Sequence, residues 1–113
     1  MPNDMVAAVC ALIAGDPRNH DHVEAVVSAV LRDAAGDSQW QTTANGWRPL
    51  LPSWIRPPTI GATVQRLVAI GMLRPTGRYS RCTDTRSGNR GKPQPVYAVD
   101  LGLLDSLCAT DAA

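Results

Sequence analysis

Arg56-Pro57-Pro58-Thr59-Ile60-Gly61-Ala62-Thr63-Val64-Gln65-Arg66-Leu67-Val68-Ala69-Ile70-Gly71-Met72-Leu73-Arg74 is the stretch that decides the fold. Two adjacent prolines are at home in the first turn of a helix, where an N–H has no intrahelical partner to lose. From Thr59 to Ile70 the apolar residues recur at helical spacing, which puts Ile60, Val64, Leu67 and Val68 on one face. Thr59, Ala62, Arg66 and Ala69 fall on the opposite face, with Thr63 and Gln65 on its flanks. Gly71 closes the helix and the period changes at once, Met72-Leu73-Arg74 beginning a strand. One helix thus carries a packing face and a small, polar face, and runs directly into β structure.

Upstream, Val23, Val26, Val27, Val30 and Leu31 form the apolar stripe of a second core helix. Asp16-Pro17 and a possible capping box of Asp21 with Glu24 place its start within 17–22, and Gly36 stops it. Thr42 or Thr43 can cap a short helix through Ala44–Arg48, which Pro49 and Pro52 hold to two turns. At the N-terminus Asp4 can cap a helix bearing Met5, Val6, Val9, Leu12 and Ile13, with Gly15 as its stop. Downstream, Val96–Val99 reads as the antiparallel partner of the strand begun at Met72. Between them the sequence predicts a long loop made flexible by Gly77, Gly88 and Gly91, and Leu101, Leu103, Leu104 and Leu107 predict a short terminal helix.

Charge is sharply segregated along this frame. The chain has 113 residues and a formal net charge of +1, yet nine of its eleven basic residues lie between Arg48 and Lys92, beside a single acid, Asp84. Such a block calls for an anionic surface, and a phosphate backbone is its commonest partner because bound cations release condensed counterions. Solvation alone would not explain the scarcity of acids there.

Length and composition allow one core rather than two, built on Val, Leu, Ile and Ala because Phe is absent and only two Tyr and three Trp occur. Cys10, Cys82 and Cys108 are odd in number and form no C-x-x-C, so neither a disulfide framework nor a zinc clip is indicated. The apolar run Met5–Ala14 is about half a membrane span and follows Asp4 instead of a positive region, so the expected setting is the cytoplasm, without a membrane partner.

A helix, a short helix, a turn, a helix and a two-stranded hairpin with a basic tip follow the order of a winged helix-turn-helix. The expected class is therefore mainly α with a small β-hairpin (α+β): an accessory helix in 1–16, the winged unit in 17–100 and a short helical tail in 101–113. In such a unit the helix 59–71 enters the major groove of double-stranded DNA and the hairpin 72–99 reaches the backbone as a basic wing. The groove contacts expected here are Thr59, Ala62, Thr63, Gln65 and Arg66, with Arg66 able to pair bidentately with guanine and Gln65 with adenine. The backbone contacts expected are Arg48, Arg56, Arg78, Arg81, Arg86, Arg90 and Lys92.

The runs Thr43-Ala44-Asn45-Gly46-Trp47-Arg48-Pro49-Leu50-Leu51-Pro52, Trp54-Ile55-Arg56-Pro57-Pro58-Thr59-Ile60-Gly61-Ala62 and Lys92-Pro93-Gln94-Pro95-Val96-Tyr97 resemble small winged-helix proteins encoded by phages and prophages of actinobacteria. The resemblance covers roughly residues 22–100 and implies the same fold, a transcription-regulating role and DNA as partner. Gly46-Trp47 departs from it where an acidic and then an aliphatic residue are expected, and the N-terminal helix lies outside it.

Other chemistries fare worse. His20 and His22 diverge at i and i+2 on a helix, and with Cys10 they make no metal site. Cys10 lies among apolar neighbours without a cation to lower its pKa, and no set of nucleophile, base and orienting group can be assembled, so neither an enzyme nor a cofactor is expected. Trp40, Trp47 and Trp54 come at sevens, but the intervening prolines forbid a continuous helix, which predicts core plugs at helix junctions. The alternative function is an adaptor that binds a host or phage protein through Trp47, Trp54 and the terminal helices. Those terminal helices are also the expected surface of a homodimer.

Overall fold

The core begins at α2 (His20–Ala35), which buries Val26, Val27, Ala29, Val30, Leu31 and Ala34. A computed structural model describes residues 3–13, 17–83 and 91–112 of the chain. Over those residues the fold is mixed α+β, with five α-helices and one three-stranded antiparallel sheet. Each fully buried Val or Leu contributes about 1.5–3 kcal/mol relative to exposure, so the α2 stripe is a main anchor of the fold. A 3-10 turn, Pro17–Asn19, leads into the helix. The Asp21–Glu24 capping box does not form: the N-cap is Asn19 and Asp21 is already in the first turn, where its charge suits the positive end of the helix dipole. Glu24 instead approaches His20 at 3.5 Å.

Against α2 pack α1 (Asn3–Leu12), α3 (Ala44–Trp47) and α4 (Pro57–Ala69). Val6, Val9, Cys10 and Ile13 come from the first segment, Trp47 from α3, and Val64 and Leu67 from α4. The last helix, α5 (Leu101–Ala112), packs on α1 and adds Leu104. The terminal helices therefore spend most of their apolar stripes on each other and on the core, leaving Leu12 and Leu101 exposed. Gly15 lies outside the described residues, so the expected stop of α1 is not observed there. No described helix is long and apolar enough to cross a membrane.

The sheet has the order β1-β3-β2, with β1 Gln41–Thr42, β2 Leu73–Arg81 and β3 Pro93–Val99. Strand β1 was not legible, since two residues carry no alternation. It is held from outside: Thr42 is buried and its hydroxyl donates to Asp33 Oδ2 at 2.6 Å, while Val99 N donates to Trp40 O at 2.9 Å. Asp37 Oδ2 accepts from the N–H groups of Gln39 and Gln41, and between them Trp40 takes a left-handed φ of 53°. Thr43 resolves the capping question, accepting from Gly46 N at 3.2 Å. A Cβ at Gly46 would collide with the Asp33 carboxylate that Thr42 holds, which accounts for a glycine inside so short a helix.

Helix α4 ends as its sequence predicts. Gly71, at φ 82°, lets its own N–H reach Val68 O and the Met72 N–H reach Leu67 O, the paired bonds of a Schellman stop. The chain then enters β2 with Met72 and Leu73 fully buried. The strands of the hairpin are longer than expected, because much of the presumed loop is paired out to Arg81–Pro93. Its pairing is irregular between Pro75 and Tyr79, where Gly77 adopts φ 84° and Thr76 Oγ1 donates to Val96 O at 2.9 Å. Pro93 and Pro95 are tolerated because β1 pairs only with Tyr97 and Ala98, leaving the far end of β3 without a neighbour on that side.

Candidate nucleic-acid interface

Helical geometry puts residues 60, 63, 64 and 67 of α4 on one stripe, and this stripe is the packing face. Thr63 consequently is 1 % exposed and belongs to the core, which corrects its expected role in the groove. Gly61, Ala62, Gln65 and Arg66 remain exposed along the ridge, and Thr59 is half-buried. The ridge has two shoulders. Gly61 and Gln65 face the hairpin across a cleft of about 380 Å³, which Trp47, Arg48, Gln94 and Pro95 also line. Thr59, Ala62 and Arg66 face a smaller depression toward the start of α2.

At the distal end of the hairpin, Asn45 of α3 acts as a clamp. Its Nδ2 donates to Arg81 O at 2.7 Å, and its Oδ1 accepts from Thr83 N at 3.0 Å and Thr83 Oγ1 at 3.1 Å. Arg48 Nη1 reaches the same Oδ1 at 3.4 Å and its Nη2 reaches Cys82 Sγ at 3.7 Å. Cys82 and Gly91 are joined across the hairpin, with Cys82 N donating to Lys92 O at 2.9 Å and Gly91 N to Cys82 O at 2.8 Å. Arg81 adds a bond to Gly91 O at 3.3 Å. Arg48, Arg81 and Lys92 are thereby gathered at one place. Asn45 was missed because nothing in a short helix distinguishes an Asn that caps from one that reaches across to a strand.

Other expected cations are turned elsewhere. Arg78 donates to Gln41 Oε1 on β1 and lines a hollow shared with Asp33 and Asp37, away from the α4 ridge. Arg74, which was not among the expected contacts, forms an ion pair with Asp100. Arg86 and Arg90 lie outside the described residues. Arg56 and Arg66 both line the smaller depression, Arg56 Nη1 donating to Asn19 Oδ1 at 3.2 Å and Arg66 Nη1 to Ile13 O at 3.4 Å.

The aromatic residues divide. Trp47 is buried and stacks on Tyr97 with centroids 6.5 Å apart, and burial followed by the neighbouring Tyr79 raises the Tyr97 hydroxyl pKa. It is a core plug and leaves no surface for a partner protein. Trp54, expected in the core, is 56 % exposed and meets His22 edge to face with ring centroids 5.1 Å apart, while its neighbour Ile55 takes the place against the core. The Cys10 thiol is pushed up to about 11, first by burial and then by Glu24, so it carries no thiolate at neutral pH.

The arrangement offers an exposed helix ridge flanked by cations on both shoulders. No protein-family model, curated protein or solved structure matches this chain.

Proposed function

We propose that this chain is a winged helix-turn-helix protein that binds double-stranded DNA, a regulator of the phage or prophage kind, with α4 in the major groove and the β2–β3 hairpin as the wing. The observation that carries the reading is the shared cleft: Gly61 and Gln65 of α4 open on the same side as Arg48 and the hairpin, whose distal end holds Arg81 and Lys92. The element order α2-β1-α3-α4-β2-β3, with β1 paired to β3, is the order such a unit uses. Small side chains on the ridge permit close approach, and Gln65 can address a base edge. Arg78 drops out of the contact set because Gln41 draws it into a hollow lined by Asp33 and Asp37, away from α4.

The test is duplex binding as a function of salt. With about four phosphates neutralised, affinity for a mixed-sequence duplex falls roughly a hundredfold between about 50 and 200 mM salt, and Arg81→Ala and Lys92→Ala each flatten the slope by about 1. Absence of duplex binding at the lower salt would sink the reading. It would favour the protein adaptor, which the exposed Trp54 supports and for which Trp47 is unavailable.

A further inference from the structure

Arg56 and Arg66 line one surface depression of about 240 Å³, with Asn19, Thr59 and Ala62 around it. Each guanidinium is steered there by a neutral acceptor, Asn19 Oδ1 for Arg56 and the Ile13 carbonyl for Arg66. Among the described residues no carboxylate pairs with either, whereas Arg74 is neutralised by Asp100. A guanidinium has five N–H donors, so most of those on each arginine remain available. Two arginines lining one depression, with no carboxylate paired to either among the described residues, form a site for an anion, and planar forks of this kind suit phosphate oxygens.

We propose that this depression seats one backbone phosphate of duplex DNA, gripped by Arg56 and Arg66 together, so that Arg66 positions the protein and does not read a base. The proposal rests on the DNA-binding reading above. The bond to Ile13 draws the Arg66 head toward the junction of α1 and α2, off the crest of α4. Arg56, at the N-cap of α4, reaches the same hollow from the helix start. Thr59 lies two turns before Arg66 and lines the same shoulder. Phosphate contacts of this sort set register and orientation but carry no sequence information. Base reading is left to Gln65, on the opposite shoulder beside the wing cleft.

The experiment selects bound sequences from a random duplex pool and measures affinity against salt for the wild type, Arg56→Ala, Arg66→Ala, the double variant and Gln65→Ala. Each single arginine variant should weaken every duplex alike, by roughly tenfold, and leave any selected motif unchanged. The double variant should lower the salt slope by about 1, as for one phosphate lost, and Gln65→Ala should relax one position of the motif. Should Arg66→Ala prove poorly folded by circular dichroism, Arg66→Lys and Arg56→Ala decide, the former expected to keep both motif and slope. A motif relaxed at one base pair by either Arg66 variant, or an unchanged slope in the double variant, overturns the clamp while DNA binding stands. Failure of the wild type to bind any duplex overturns both.

Discussion

Single residues decide how close α4 can come to a partner. Gly61 sits mid-helix, where glycine costs about 1 kcal/mol relative to alanine, yet a Cβ built there meets nothing within 4 Å. Gly61→Ala is therefore expected to raise stability by about 1 kcal/mol in urea unfolding; a loss would mean that the space is not open. Packing within the molecule does not require this glycine. Gly46 is the opposite case, because the Asp33 carboxylate occupies the place of its Cβ. Thr63 shows how little separates a groove contact from a core residue, since one step of helical rotation from Ala62 takes the side chain from exposed to buried.

At the scale of elements, the joins between helices and sheet carry the electrostatics. Asp100 ends β3 and caps α5: its Oδ1 accepts from Leu103 N at 2.9 Å while Oδ2 meets Arg74 on β2. The Arg74 hydrogen bond, then that of Leu103, holds the Asp100 carboxyl below its ordinary value of 3.8. The folded state thus favours the carboxylate, and the stabilisation is present above 3.8 and lost as pH falls through the depressed value. In thermal melts at neutral pH, Asp100→Asn should be less stable than the wild type and Asp100→Ala lower still, since Asn keeps a capping oxygen. The wild type and Asp100→Asn should converge in acid; a gap that persists there would contradict the linkage. Strand β1 teaches a related lesson, because its two residues are a strand only through Asp33, Asp37 and the edge of β3.

For the whole molecule, the seam between α1 and α2 ties an outlying helix to the core. Cys10 in that seam holds its proton up to about 11 against an ordinary 9.0, so the unfolded chain ionises first. Stability conferred by the neutral thiol is whole below 9.0 and is lost as pH rises through about 11. Tyr97, raised above its ordinary 10.0, adds in the same direction. Unfolding followed from neutral pH to the alkaline range should show this decline, and Cys10→Ala should make it shallower. An identical pH profile for the variant would rule out Cys10 as a source.

By itself the sequence determined the extents of α2 and α4, because prolines, glycines and 3.6-residue periodicity act locally. The α2 stripe and the Pro57-Pro58 start and Gly71 stop of α4 follow from such signals, and the strand after Met72 was legible with Val96–Val99 as its antiparallel partner, while the register of Leu73 with Val99 was not. It also fixed the block of basic charge, which is a matter of composition. Only the tertiary structure decided that Thr63 turns inward, that Trp54 stays outside, that Asn45 clamps the hairpin and that Arg78 leaves the ridge for Gln41. Those outcomes depend on partners more than 30 residues away or on which side of a helix meets a neighbour, and neither leaves a period in the chain.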